Sequence, residues 1–230
     1  MIDGYKKPLT VSVCVITICL CVAGCREIIN IPTEEKVTET MIEKEEVKDI
    51  AEPEYEISDN VGSQYDLLMD IKTEGNVDSL VVERVAFELA KLPESIQQAF
   101  MDDGWTLCVT DRDLDAEYFG GRYGRVMGTS VYPERTIYIS NYESAALNST
   151  IHEIGHWLDW HYGFGTDSEE FSKIYERENQ TFIDEYNSGC VFDTKELFAE
   201  GFYRYFIDSE YLGRTVPELH EFIENCIKNL

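Results

Sequence analysis

The stretch Thr150–His161, TIHEIGHWLDWH, carries three of the four histidines in the chain. It constrains the fold more than any other segment. On a helix, residues four apart share a face and sit one turn above each other. His152 and His156 therefore point the same way, spaced to hold one metal ion, and Glu153 leans to the same edge. Leu147, Ile151, Ile154 and Leu158 form a separate apolar stripe. Such a helix has to seat that stripe in a core while its imidazoles face a recess. Gly155 leaves room for a close neighbour, and Gly163 predicts the helix end.

The rest of the chain supplies strands before this helix and helices after it. Val77 to Lys91 places Val77, Val81, Val85 and Leu89 on one side at helical spacing, which predicts a helix. A second helix starts at Pro93 and is stopped by Asp102-Asp103-Gly104. Strands are expected at 105–110, 125–132 and 136–140, with a Gly-rich passage at Gly120-Gly121-Arg122-Tyr123-Gly124 and a turn around Pro133. From Asn141 onward the pattern is helical almost to the end. Strands followed by helices, without βαβ alternation, predict an α+β fold: a small mixed sheet whose edge strand lies beside the histidine helix, then a helical C-terminal part.

His-Glu-x-x-His on a helix is the pattern in which two imidazoles bind Zn2+ and the glutamate takes a proton from water. A catalytic zinc takes three protein ligands and keeps a fourth position open. His161 follows closely, yet it stands one residue too early for the long metzincin pattern, whose glycine and histidine places hold Asp159 and Tyr162. Gly165-Thr166-Asp167 has only a faint likeness to the aspartate-zincin triplet. A glutamate on a later helix remains, and Lys195–Phe202 offers Glu196 and Glu200, four apart on one face. Asp193-Thr194-Lys195-Glu196 also fits a capping box, in which Glu196 would reach back to the helix start. The residues alone leave Glu196 and Glu200 open as the third ligand.

HEIGHWLD, followed about 40 residues later by ELFAEGF, resembles the anthrax-lethal-factor-like metallopeptidases, a group that includes bacterial Pro-Pro endopeptidases. The resemblance runs over roughly residues 85 to 228, through the closing stretch Val216–Ile223. It implies a zincin-like domain and one Zn2+ held by His152, His156 and Glu196, with Glu153 as general base. It implies an endopeptidase acting on protein or peptide substrates, bound along the edge strand where Val126–Ser130 are small enough for a backbone to approach. The family places a tyrosine seven residues before the ligand glutamate to steady the oxyanion. Here that place is Gly189, and the role is carried to Tyr186, three residues earlier. Asp159 and Glu200 are expected to hold the imidazoles from behind. The alternative is a zincin fold without turnover, acting as a binding module.

The N-terminus sets where such a domain works. Lys6 and Lys7 precede an apolar run from Leu9 to Ala23, which is short for a membrane span and has the layout of a secretion signal. Its ending, Val22-Ala23-Gly24-Cys25, resembles the bacterial lipobox, which implies acylation of Cys25 and a lipid anchor at the extracytoplasmic membrane face, with secretion as the alternative. Residues 26–62 are rich in Glu and Lys and poor in aromatics, an acidic disordered tether, and the metallopeptidase domain is expected over 63–230. The net charge of −26 excludes a nucleic-acid partner, since phosphate contacts need clustered Lys and Arg. Beyond the signal segment and Cys25 only Cys108, Cys190 and Cys226 remain, enough for at most one disulfide.

Overall fold

The computed structural model describes Tyr65 and residues 67–230. The expected signal segment with Cys25, the tether and the domain start at residue 63 lie outside the described residues. The elements run β1 (Ile71–Glu74), α1 (Ser79–Leu89), α2 (Glu94–Asp102), β2 (Thr106–Thr110), a π-helical turn (Asp115–Phe119), β3 (Gly128–Val131), a 3-10 turn (Tyr132–Glu134) and β4 (Thr136–Ser140). The helices α3 (Glu143–Tyr162), α4 (Glu169–Tyr186), α5 (Thr194–Thr215) and α6 (Pro217–Lys228) follow. Among the described residues no helix is long and apolar enough to cross a membrane.

The sheet has the order β1-β2-β4-β3, with β1, β2 and β4 parallel and β3 antiparallel on the edge. The α+β class and the mixed sheet stand. The absence of βαβ alternation does not, because β1 joins β2 in parallel across the α1–α2 pair. That strand is only IKTE, with three of its four residues exposed, and so carries no apolar alternation to read. Leu107, Val109, Ile137 and Ile139 of the two central strands are fully buried on the helix-covered face. Their neighbours Cys108 and Tyr138 point to the other face and pack with Leu114 and Val126 beneath the π-helical turn.

Local chemistry sets the helix ends. Asp78 accepts from the Leu80 N–H at the start of α1, Ser168 from Phe171 at α4, and Asp193 from Glu196 at α5, each satisfying a donor that the first turn leaves unpaired. Helix α6 has Pro217 in its first turn and no capping side chain of its own. The buried Glu178 of α4 serves instead, accepting from the N–H groups of Glu218 (3.0 Å) and Leu219 (2.8 Å). Gly163 ends α3 in the left-handed conformation, with φ of 63°. Cys108, Cys190 and Cys226 are all buried free thiols, so none of the three forms a disulfide.

The expected apolar stripe of α3 is fully buried at Ile151, Ile154 and Leu158. Across from it runs α5, and the two backbones meet at Gly155. A Cβ there would lie 3.1 Å from the Ala199 Cα and 3.2 Å from the Phe202 ring. The near neighbour is backbone, which cannot rotate aside. We therefore expect Gly155→Ala to destabilise the fold by about 1–3 kcal/mol, the usual cost of overpacking. Urea denaturation would show this as a lower midpoint at unchanged slope.

Candidate metal centre

The approach at Gly155 brings the histidine face of α3 against the first two turns of α5. His152, Glu153, His156, Glu196 and Glu200 are all buried. The His152 Nε2 and His156 Nε2 atoms are 3.0 Å apart, and the Glu196 Oε2 atom lies 3.4 Å from the first and 3.8 Å from the second. Ligand atoms about 2.0–2.1 Å from a tetrahedral zinc are separated by about 3.3 Å, so this triangle has the dimensions of three zinc corners. His152, His156 and Glu196 are also the one group among the described residues with ligand atoms close enough to share a metal ion.

Unpaired polar atoms mark the same point. The Glu196 Oε2 and Glu153 Oε1 atoms are buried without a hydrogen-bond partner. Leaving buried oxygens unsatisfied costs about 1–3 kcal/mol each, more when charged, unless a ligand or ion meets them. Charge agrees with this. Burial opposes a cation at His152, yet the Glu196 and Glu200 carboxylates raise its pKa well above the ordinary imidazole value. Burial pushes Glu196 and Glu200 toward neutrality, but His156 and His152 hold Glu196, and His152 and Arg204 hold Glu200, below the ordinary carboxylate range. The field favours positive charge between these groups. The residues present fit a divalent cation.

The side chains behind the triangle fix its orientation. His152 Nδ1 faces Glu200 Oε2 at 3.1 Å, which directs its other nitrogen to the triangle. Only half of the expected capping box forms: the Glu196 backbone N–H donates to Asp193 Oδ1 at 2.9 Å, while its carboxylate turns inward to the histidines instead of reaching back to the helix start. The cap uses the backbone and leaves the side chain available. Glu153 is held from the sheet, where Ser130 Oγ on β3 donates to its Oε2 at 2.7 Å. Burial raises the Glu153 pKa. In the sequence Ser130 is only one of the small residues before the histidine helix, and no motif flags a contact 23 positions away.

Several expected residues sit elsewhere or do something else. Tyr186 does not turn its hydroxyl to the triangle. The hydroxyl pairs with Thr215 Oγ1 at 3.4 Å, and its ring packs on Phe182 and lies under the Arg204 guanidinium. The longer loop after α4 leaves Tyr186 as the last residue of that helix, which fixes its direction. Asp159 accepts from the Thr166 hydroxyl at 2.7 Å, so that carboxylate braces the chain after α3. His161 bonds Asp103 Oδ2 at 2.9 Å, which Trp157 Nε1 also reaches at 3.2 Å; this ties the end of α3 to the turn before β2. Gly128 serves the helix rather than an incoming backbone, since a Cβ there would lie 2.9 Å from Ser149 Cβ and 3.1 Å from Glu153 Cγ.

Residues 123–226 match the family model described as anthrax toxin lethal factor, N- and C-terminal domain. No curated protein matches the chain. Among solved structures the chain is similar to the Pro-Pro endopeptidase PPEP-2 from Paenibacillus alvei, with a TM-score of 0.55 and 19% sequence identity over 72% of this chain and 98% of that one. At that identity the likeness speaks for the fold, the one expected from the HEIGH and ELFAEGF motifs. The family match begins at the Gly-rich passage, later than the reach of the sequence resemblance. It includes every residue of the triangle, and the two comparisons together support a likeness to the anthrax-lethal-factor-like zinc metallopeptidases.

If the triangle is the metal site, Glu196→Ala abolishes stoichiometric Zn2+ binding, and Glu200→Ala weakens it about 10–100-fold, as loss of a partner behind a ligand does. Competition with a chromophoric chelator measures both, and the reverse order would exchange the roles of the two glutamates.

Proposed function

We propose that this protein, with its lethal-factor-like domain over residues 123–226, is a zinc-dependent endopeptidase that hydrolyses peptide bonds of extracellular proteins. A lipid on Cys25 holds it at the membrane, and residues 26–62 serve as the tether. The observation that carries the catalytic reading is Glu153. One carboxylate oxygen is bound by Ser130, while the other is buried and unpaired, and the carboxylate lies within range of the charges of His156, His152 and Glu196. Most buried polar atoms are paired, so a bare carboxylate oxygen here favours a role in the chemistry.

His152, His156 and Glu196 would hold the ion, which when bound would supply Lewis acidity toward the scissile carbonyl and lower the pKa of water. Glu153 Oε1 takes the proton of the attacking water and later gives it to the leaving amine, while Ser130 keeps Oε2 from turning. Glu200 holds His152 in the tautomer whose Nε2 lone pair would be free for the ion. A peptide is bound by strand addition along β3, the sheet edge that carries Ser130. The extracytoplasmic setting rests on the basic start, the short apolar run and the Val-Ala-Gly-Cys ending.

The test is a diverse peptide mixture, Pro-Pro bonds included, incubated with the zinc-loaded protein and mapped by mass spectrometry. Glu153→Ala is expected to bind zinc and cut nothing; wild-type cleavage in that variant would sink the mechanism. A wild-type protein that binds zinc and cuts nothing would favour the binding-module reading. Ser130→Ala, which frees the second oxygen of the base, should lower kcat/KM by about tenfold, the worth of one hydrogen bond to a charged group, with zinc affinity unchanged.

A further inference from the structure

Glu200 is itself held from behind. Arg204 lies one turn further along α5, and its Nη2 donates to Glu200 Oε1 at 3.0 Å, while Glu200 Oε2 faces His152 Nδ1. The guanidinium carbon sits 5.0 Å from the centre of the Tyr186 ring and 4.7 Å from that of Tyr203. Two aromatic rings therefore lie against a side chain that would otherwise swing freely. The tyrosines are anchored in turn, Tyr186 through Thr215 and Tyr203 through Asn148 Oδ1 at 3.5 Å. Asn148 is on α3, four residues before His152. The chain of contacts thus leaves α3, crosses to α5 and returns to α3 at the imidazole.

A carboxylate with one oxygen on an imidazole and the other unpaired could rotate about its last bond and lose the imidazole. Arg204 removes that freedom by occupying the second oxygen. It also sets a positive charge beside a buried carboxylate that stands close to a second one, Glu196. Lysine would supply the charge without the planar stack. Methionine would supply neither. No part of the HEIGH or ELFAEGF patterns contains this position.

We infer that Arg204 is a positioning residue for the metal centre: held beside the Tyr186 and Tyr203 rings, it locks Glu200 so that His152 presents Nε2 to the ion. This rests on the reading of His152, His156 and Glu196 as zinc ligands. The experiment measures Zn2+ dissociation constants by chelator competition for the whole protein and for Arg204→Met, Arg204→Lys, Glu200→Gln and the Arg204→Met/Glu200→Gln double variant. Thermal melts of the metal-free forms run alongside.

Arg204→Met is expected to weaken zinc binding about 10–100-fold, and Arg204→Lys to recover most of that loss. Because Arg204 acts through Glu200, the double variant should bind no more weakly than Glu200→Gln alone. Wild-type zinc affinity in Arg204→Met, with only a lower melting temperature, would overturn the inference and leave a structural role. Losses that add in the double variant would overturn it as well. If Arg204→Met fails to fold because Glu200 is left as an uncompensated charge, the double variant, which removes both charges, still decides. Failure of the wild-type protein to bind zinc would instead overturn the metal-site reading on which the inference rests.

Discussion

The close crossing of α3 and α5 at Gly155 and Ala199 is the contact on which the candidate site depends. With backbones that near, side chains one turn away on either helix reach each other without extended rotamers. Four ionisable groups are buried in that seam: His152, His156, Glu196 and Glu200. Taking charges out of water is costly unless they are paired, and here they are paired with one another. The apolar stripe that drives the helices together and the polar seam it encloses belong to one packing event. A wider crossing would leave the carboxylates and the imidazoles each facing water.

Much of this was legible in the sequence because it is periodic. His152 and His156, and again Glu196 and Glu200, stand four apart, and helical geometry puts each pair on one face whatever the surroundings. The same periodicity hides the order of the two glutamates, which share a face. Only the crossing decides that Glu196 meets both Nε2 atoms and Glu200 meets Nδ1. Tertiary contacts left no such trace. Ser130 reaches Glu153 across 23 residues, and β1 is a strand mainly because β2 offers it a parallel edge. Tyr186 was assigned by distance along the chain, whereas its direction is set by the end of α4 and by Arg204 above its ring.

Acidic side chains have unlike tasks in this chain, which a net charge of −26 conceals. Glu178 acts as the missing cap of a neighbouring helix, and Asp103 joins three cationic or N–H donors where α2 gives way to the sheet. Asp115 accepts from the Tyr123 and Gly124 N–H groups and so closes the Gly-rich passage on the way to the edge strand. Each is a carboxylate matched to donors that backbone geometry would otherwise strand.

The fit of Gly128 against Ser149 and Glu153 has a thermodynamic side. Because the edge strand and the α3 helix touch through atoms that cannot shrink further, the gap between the strand and the Glu153 carboxylate is set when the chain folds. On the proposed reading an arriving peptide does not have to organise it. The ordering of this half of the site is charged to folding, once per molecule, rather than to every encounter, and a dipole already aimed has little reorganisation left to oppose the reaction.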